Sequence, residues 1–330
     1  MEDRRGIFET GLAKVNTPGR HMLKDNSLRE KLKDVVSGMV LIDEPMSRHT
    51  SIGVGGPTDA LISPENAKEL GRIITYLRHL KTPFIPVGNG TNLIVRDGGY
   101  RGVIISMKGL NSIVLNKRNT EWASIRTGAG ATLSEIVRLA AEESLTGMEF
   151  CAGIPGSVGG AVKMNAGAYG SEIKDVVDKI ELMDKKGNIR DVKKNSLKFE
   201  YRNLALPEGK IITGASFLLT KGIKEKIQGR INEILGMRKN KHPLEFRNSG
   251  SIFKNPKGSA PAGQIIDEMG LKGYQIGGAK ISEKHGNFIV NLGQAKASDI
   301  IALIEMVKKK VKAERGIILE TEVEIIGENG

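Results

Sequence analysis

The stretch that decides the fold is PVGNGTNLIV, residues 86–95, in which two glycines lie between two apolar runs. A dinucleotide fingerprint or a P-loop needs its glycines to open a helix whose N-terminus faces a phosphate. Here the next residues, Leu93–Val95, are typical of another strand, and no Gly-Lys-Ser/Thr follows the glycines. The stretch therefore predicts a strand, a loop and a second strand, and it argues against a Rossmann or P-loop site.

The loop itself, GNGTN at residues 88–92, has two interpretations. Its glycines and its short polar side chains are typical of a backbone concavity that binds pyrophosphate. An Asn-Gly pair is also typical of a hairpin turn. The loop alone leaves both interpretations open.

A second glycine-rich stretch, GIPGSVGGAVKMNAGAYG, spans residues 153–170. Six of its eighteen residues are glycine, and Lys163 carries its only charge. Glycines let a backbone approach a ligand closely, whereas Ile154 and Pro155 interrupt them in a way that Gly/Ser linkers do not show. We expect a backbone that holds a cofactor, with a structural turn cluster as the alternative.

Strand and helix signals that are mixed along the chain predict an α+β fold. Residues 1–38 form a polar leader, and the pair His21-Met22 resembles a vector-derived junction, which makes Met22 a candidate natural start. Residues 39–221 form a first domain and residues 222–330 a second. No internal repeat is evident.

Several local signals predict individual elements. Ser63 is predicted to cap a helix that begins at Pro64, in which Leu70, Ile74 and Leu77 recur at helical spacing. Ser298 is predicted to cap the final helix, which would end at Gly316. Thr132 and Glu135 match a capping box, and residues 176–192 are typical of an antiparallel hairpin. The last segment, Ile317–Ile326, alternates as a strand would, which places three glutamates on one face: Glu320, Glu322 and Glu324.

Composition limits the classes of function. The formal charge is +12, and residues 222–260 hold nine Lys/Arg against three Asp/Glu. A basic segment fits a nucleic acid or a small polyanion. Aromatic residues make up only 4% of the chain and do not alternate with the basic ones, which favours the small polyanion.

The remaining composition predicts a protein without disulfides, metal sites or membrane segments. Cys151 is the single cysteine, the five histidines are scattered, and no apolar run is long enough to cross a bilayer. No secretory signal is visible. We expect a cytoplasmic protein, with a monomer favoured.

Taken together, the segments resemble the UDP-N-acetylenolpyruvoylglucosamine reductases, the MurB family. The resemblance covers nearly 290 residues from about residue 40 onward, and the order and spacing of the motifs carry it rather than any one motif. The matching pieces are HTSIGVGGPTD, PVGNGTNLIVRDGG, GIPGSVGGAVKMNAGAYG, Tyr201-Arg202, NSGSIFKNP, LKGYQIGGAK and LETEVEIIG.

The resemblance implies a domain of the PCMH or vanillyl-alcohol-oxidase type. Its two subdomains would bind FAD non-covalently, and a C-terminal α+β domain would bind substrate. NADPH would be the co-substrate, reducing FAD before the enolpyruvyl group of a UDP-sugar is reduced to UDP-N-acetylmuramate in peptidoglycan synthesis. The implied FAD-binding residues are Gly55, Val87, Gly88, Asn89, Gly90, Thr91, Asn92, Gly153, Ile154, Pro155, Gly156, Gly159, Gly160, Asn165, Ala166, Gly167 and Arg202.

The same resemblance implies three catalytic residues. Arg202 would bind the substrate carboxylate, a protonated Glu322 would donate a hydrogen bond there, and Ser251 would be the proton donor. Lys241 is our candidate for assisting Ser251. The implied substrate-binding residues are Lys241, Ser251, Lys254, Asn255 and Glu322.

Pattern alone favours ordinary roles for these residues: a turn serine, a surface ion pair and a solvated glutamate. Lys163 and His285 stay open, with a surface charge or a loop hydrogen bond favoured. Only 48 residues separate Arg202 from Ser251, which resembles the shorter subtype that lacks a tyrosine-bearing insertion. The competing functions are a flavin-dependent oxidase on the same scaffold and a basic nucleic-acid-binding protein.

Overall fold

The computed structural model describes residues 26–117 and 119–330. The first 25 residues of the leader, with His21 and Met22, lie outside the described residues. Within these described residues, four short 3-10 helices occur, at Met46–Arg48, Met107–Gly109, Glu149–Cys151 and Lys194–Ser196.

The first part of the fold is a small sheet covered by two helices. Its elements are α1 (Asn26–Val35), β1 (Met39–Pro45), β2 (Pro57–Ser63), α2 (Ala67–His79), β3 (Phe84–Val87), β4 (Leu93–Val95) and β5 (Tyr100–Ser106). The sheet order is β1-β2-β5-β3, with β1 antiparallel to β2 and the other neighbours parallel. The helical face predicted from Leu70, Ile74 and Leu77 is buried against this sheet.

Helix α2 begins later than the sequence predicts. Its N-cap is Asn66, which accepts a hydrogen bond from the amide of Glu69, rather than Ser63. The buried carboxylate of Glu69 accepts hydrogen bonds from the amides of Ser37 and Glu65. These contacts fix residues 64–66 as a connection, so the prediction that Ser63 and Pro64 open the helix was wrong.

The second part contains a six-stranded antiparallel sheet in the order β12-β11-β15-β7-β6, with β8 pairing the end of β15. Its first elements are β6 (Ile113–Lys117), β7 (Trp122–Gly128), α3 (Leu133–Glu142), β8 (Leu145–Thr146), α4 (Val158–Lys163), β9 (Gly167–Ala168) and β10 (Ser171–Glu172). The later ones are α5 (Ile173–Val176), β11 (Val177–Met183), β12 (Ile189–Lys193), β13 (Lys198–Glu200), β14 (Asn203–Ala205) and β15 (Ile211–Lys221).

Two local predictions for this second part are confirmed. Thr132 and Glu135 form the capping box of α3, and β11 and β12 form the predicted hairpin. Strands β13 and β14 pair only with each other, as a separate hairpin whose connection is Tyr201–Arg202.

The C-terminal part begins with a long helix and ends on the first part. Its elements are α6 (Lys224–Lys241), β16 (Arg247–Ser251), α7 (Ala262–Glu268), β17 (Gln275–Ile276), β18 (Ala279–Ile281), β19 (Phe288–Asn291), α8 (Ala297–Arg315) and β20 (Glu324–Ile326). An antiparallel sheet with the order β16-β19-β18-β17 packs against α7 and α8. The predicted α+β class is confirmed.

Helix α8 begins at Ala297, and Ser298 lies inside it. The amides of Ala297 and Ser298 donate to the carboxylate of Asp97, at 2.8 and 2.9 Å. A residue of the first part therefore takes the capping role predicted for Ser298, and that prediction was wrong. The predicted end of the helix at Gly316, which has φ +69°, is confirmed.

The final segment is not one continuous strand. The chain around Glu322 follows Ile252, whose carbonyl accepts from the amide of Glu322 at 2.8 Å. The chain then pairs with β4, and within this segment only Glu324–Ile326 forms a strand. The change of partner turns Glu322 inward while Glu320 stays 73% exposed, so the predicted shared face of three glutamates was wrong.

Candidate active site

Loop 88–92 connects strands of two different sheets. Strand β3 before it pairs with β5, whereas β4 after it pairs in parallel with β20 from the C-terminal end. The hairpin interpretation of GNGTN was therefore wrong, and the predicted strand–loop–strand is confirmed.

The backbone of this loop fits an anionic ligand. The carbonyls of Gly90 and Asn92 accept from the amides of Ser51 and Glu324, both at 3.0 Å. Across residues 26–117 and 119–330, none of the amides of residues 88–92 donates to another protein atom. With two of its carbonyls fixed and its amides uncommitted, the loop has backbone donors that fit a pyrophosphate.

The second glycine-rich stretch faces this loop. A Cβ on Gly88 would lie 2.1 Å from Oγ of Ser157, and a Cβ on Gly156 would lie 3.7 Å from Oγ1 of Thr91. Ser157 is buried, yet its hydroxyl has no hydrogen-bond partner in the described part of the chain. An unsatisfied buried hydroxyl beside uncommitted amides fits a cofactor that supplies the missing acceptors.

Other residues implied as FAD-binding have roles within the protein. Cβ atoms on Gly55 and Gly159 would press on Met46 and Ala129, so these glycines serve close packing. Asn165 is fully buried, and its side chain bonds to Glu172, the carbonyl of Glu200 and the amide of Lys174. Val87 ends β3, Ile154 packs against the core of the second part, and Gly153, Pro155 and Gly160 are exposed.

Arg202 and Glu322 are brought together from distant parts of the chain. Nε of Arg202 lies 3.2 Å from Oε1 of Glu322, and both side chains are about one-fifth exposed, at 20% and 18%. The N–H group does not point at the oxygen well enough to form a directed hydrogen bond. The guanidinium and the carboxyl group are therefore close together, and Nε of Arg202 keeps unused donor capacity for a second carboxylate.

The surroundings of Glu322 favour its neutral form. Burial raises the pKa of this carboxyl, and it outweighs the lowering by Arg202 and Lys254. A side-chain amide of the glycine loop also holds the residue, because Nδ2 of Asn92 donates to the carbonyl of Glu322 at 2.9 Å. The site thus contains a carboxyl with a raised pKa beside a fixed guanidinium.

Ser251 is linked to Glu322 through the backbone of its neighbour. It ends β16 opposite Phe288, and the carbonyl of the following residue, Ile252, accepts a hydrogen bond from the amide of Glu322. Lys241 ends α6 and is exposed. Burial lowers the pKa values of two histidines, His242 and His285, and the charge of Lys241 adds a smaller lowering. No hydrogen bond joins Lys241 to Ser251 in the described residues.

The other two implied substrate-binding residues also contact the protein. Nζ of Lys254 lies 3.3 Å from Oε2 of Glu320 at the surface. Oδ1 of Asn255 accepts from the amide of Ala262, the first residue of α7. The side chain of Asn255 therefore already helps to start a helix.

Lys163 and His285, whose roles the sequence leaves open, both form loop hydrogen bonds, as the favoured interpretation predicts. Nζ of Lys163 donates to Oδ1 of Asn203 and to the carbonyl of Leu204. Nδ1 of His285 accepts from the amide of Asn287, and its ring packs on Phe288.

Arg238 also lies in this region, and the sequence alone did not indicate it as a candidate residue. It is largely buried in α6, no carboxylate of the described residues pairs with it, and its Nε has no partner there. Its guanidinium lies 5.6 Å from the ring centre of Tyr169, and its Cδ would be 2.8 Å from a Cβ on Gly153. Burial lowers its pKa. The basic composition of residues 222–260 indicates a cation in this region. Only the packing shows which of the basic side chains is buried.

Within the described residues, every helix is too short or too polar to span a membrane. No group of three or more His, Cys, Asp or Glu side chains there has the geometry to hold a metal ion.

Comparison with family models matches both parts of the chain. Residues 58–193 match the FAD binding domain. Residues 242–326 match the model described as UDP-N-acetylenolpyruvoylglucosamine reductase, C-terminal domain. The FAD-binding type of the predicted fold is thereby confirmed.

Relatives in sequence and structure cover almost the whole chain. UDP-N-acetylenolpyruvoylglucosamine reductase of Syntrophus aciditrophicus is 52% identical over 316 residues, covering 94% of this chain and 99% of the relative. The protein of that name from Caldanaerobacter subterraneus is 45% identical, covering 91% and 98%. The crystal structure of UDP-N-acetylenolpyruvylglucosamine reductase (MurB) from Thermus caldophilus superposes with a TM-score of 0.73 at 36% identity, covering 88% and 99%. The chain therefore belongs to the UDP-N-acetylenolpyruvoylglucosamine reductase family and carries the FAD-binding domain of that family.

Proposed function

We propose that the protein reduces UDP-N-acetyl-3-O-(1-carboxyvinyl)glucosamine to UDP-N-acetylmuramate with NADPH, in the cytoplasmic synthesis of peptidoglycan precursors. The observation that carries the proposal is the partly buried Arg202–Glu322 pair beside a loop of uncommitted amides. The high identity to reductases along nearly the whole chain supports the choice of substrate. We also propose residues 39–221 and 222–330 as the FAD-binding and substrate-binding domains.

FAD bound to residues 88–92 and 153–170 would supply a hydride, taken from NADPH, to the vinyl carbon of the substrate. Charge then builds up on the neighbouring carbon and on the carboxylate attached to it. The free donors of Arg202 would bind that carboxylate in a fork geometry. A neutral Glu322, favoured by its raised pKa, would donate a hydrogen bond to the same group.

Ser251 would deliver a proton to the carbon that bears the carboxylate, completing the addition of H⁻ and H⁺ across the double bond. A serine hydroxyl is a weak acid, and a nearby cation or water must assist it. Lys241 remains our candidate for that cation. Lys254 and Asn255 would contact the phosphates or the sugar, and the buried cation of Arg238 is a further candidate for an anionic group.

The decisive experiment separates the two half-reactions under anaerobic conditions. We expect the purified protein to be yellow, to oxidise NADPH in a way that depends on the enolpyruvyl nucleotide, and to release no peroxide. Ser251→Ala should retain reduction of FAD by NADPH and lose at least about 10²-fold in reoxidation by substrate. Ser259→Ala, an exposed serine of the following loop, is the control.

Three outcomes would contradict the proposal. A colourless protein that takes up no FAD would exclude both flavin enzymes. Rapid reoxidation by oxygen without the nucleotide would favour an oxidase. Near-normal turnover of Ser251→Ala would show that Ser251 is not the proton donor.

A further inference from the structure

The hairpin that carries Arg202 has little stability of its own. Strands β13 and β14 have three residues each, and in the part of the chain that the structure describes they pair only with one another. An isolated two-stranded hairpin is marginal in water. Moreover, Arg202 has φ +55°, a left-handed conformation that is unfavourable for a non-glycine residue. The surroundings must therefore hold this turn.

The second glycine-rich stretch supplies the contacts, one on each side of the turn. Before the turn, Nδ2 of Asn165 donates to the carbonyl of Glu200 at 3.1 Å. After the turn, Nζ of Lys163 donates to Oδ1 of Asn203 at 2.8 Å and to the carbonyl of Leu204 at 2.9 Å. Both flanks of the turn Tyr201–Arg202 are thus held by hydrogen bonds from Lys163 and Asn165, which lie only two positions apart in the sequence.

The anchor points are themselves well fixed. Asn165 is fully buried, and its amide also bonds to Glu172 and to the backbone of Lys174. Leu204 is fully buried as well. The same stretch leaves room for the guanidinium, because a Cβ on Gly167 would lie 3.3 Å from Nη1 of Arg202. The stretch therefore sets both the backbone and the path of the Arg202 side chain.

We propose that Lys163 and Asn165 are positioning residues for Arg202. In this view the glycine-rich stretch does more than lie along the cofactor: it aligns the guanidinium that binds the substrate carboxylate. The inference rests on the role of Arg202 in the proposed function. A displacement of about 1 Å in such a group can cost about 10²-fold in rate.

The test uses Lys163, because its side chain reaches solvent and its replacement leaves the core intact. In the FAD-loaded enzyme, Lys163→Met should lower the rate of flavin reoxidation by substrate about 10- to 100-fold. FAD content and flavin reduction by NADPH should stay within about twofold of wild type. Lys163→Arg keeps a donor and should recover most of the rate. Lys198→Met removes an exposed lysine of the same hairpin and should have no effect.

Two further measurements separate positioning from charge and from general damage. Asn203→Ala keeps the lysine charge but removes one acceptor, and it should lower the reoxidation rate about threefold to tenfold. Amide hydrogen exchange of residues 198–205 should speed up in Lys163→Met and stay unchanged in Lys198→Met.

A double-mutant cycle gives the final criterion. If Lys163 acts through Arg202, Lys163→Met should change the rate less than twofold in an Arg202→Ala background. An equal effect in both backgrounds, or unchanged hydrogen exchange, would overturn the inference. Near-normal turnover of Arg202→Ala alone would instead refute the proposed role of Arg202.

Discussion

At the scale of single residues, the proposed chemistry depends on side chains whose burial cannot be read from the residues beside them in the sequence. Glu320 and Glu322 are two positions apart, yet one side chain is 73% exposed and the other 18%. The inward carboxyl, Glu322, has a raised pKa, because burial outweighs the attraction of Arg202 and Lys254. The alternation in the sequence contains no sign of this difference.

The raised pKa of Glu322 predicts a pH dependence of both rate and stability. A carboxyl whose pKa is higher in the folded state contributes stability that is fully present below the unfolded value of about 4.5 and is lost as the pH rises through the folded value. Glu322→Gln should therefore gain stability relative to wild type between pH 4 and pH 8. Its flavin reoxidation rate should lack the decline that wild type shows with rising pH.

Urea unfolding and anaerobic reoxidation rates, measured across this pH range, check the prediction. Glu320→Gln is the matched control and should follow wild type. A stability difference between Glu322→Gln and wild type that does not change with pH would contradict the assignment of the raised pKa.

At the scale of elements, the candidate active site is formed by loops that end strands of separate sheets. Loop 88–92 leaves one sheet at β3 and enters another at β4. Its neighbour across the cofactor region is the short helix α4 with Ser157 before it. The distance between these two elements leaves no space for a side chain on Gly88.

Gly88→Ala should therefore disturb the cofactor loop. The added methyl group would lie 2.1 Å from Oγ of Ser157, and the loop amides must shift to avoid it. We expect FAD affinity to fall at least about tenfold, equivalent to 1.4 kcal/mol, as measured by equilibrium dialysis of the flavin.

Gly229→Ala is the matched control for this glycine. Nothing lies within 4 Å of a Cβ at that position in helix α6. Alanine there should stabilise the protein by about 0.5–1 kcal/mol and leave FAD binding unchanged. If Gly88→Ala bound FAD as tightly as wild type, the close approach of the loop to Ser157 would not matter for the cofactor.

At the scale of the whole molecule, the C-terminal part is tied back onto the first part at several points. Strand β20 pairs with β4, Nδ2 of Asn291 donates to the carbonyl of Ile52, and Oγ of Ser51 donates to the carbonyl of Asn248. Asp97 accepts the first amides of α8. These contacts bring Ser251 and Glu322 to the loop that precedes β4.

Asp97→Ala should loosen this association. Burial raises the pKa of Asp97, but the hydrogen bonds from Ser298 and Ala297 together lower it by more. The net effect is a pKa below the ordinary value of 3.8. The stability from this carboxylate is present above the unfolded pKa and is lost as the pH falls. Loss of such a cap costs about 0.5–2 kcal/mol.

Urea unfolding of Asp97→Ala at pH 7 and at pH 3 measures this contribution. The variant should be less stable than wild type at pH 7, and the difference should shrink at pH 3. Asp34→Ala, an exposed aspartate of α1, should show neither effect. A deficit of equal size at both pH values would mean that the carboxylate charge is not what caps α8.

The sequence by itself determined those local elements whose partners are close together in the chain. The capping box of Thr132 and Glu135 and the β11–β12 hairpin followed from short-range patterns, because both partners lie within a few residues of each other. The apolar residues after GNGTN excluded a glycine-opened helix. The ordered motifs then identified the family, although no pattern alone assigned a role to Arg202, Ser251 or Glu322.

Only the tertiary structure decided the features that depend on distant partners. Glu69 and Asp97 moved the starts of α2 and α8 away from Ser63 and Ser298. The exchange of partners from Ile252 to β4 broke the last strand and turned Glu322 inward. Burial and pairing involve residues as far as 239 positions apart, and local sequence contains no information on which of them meet.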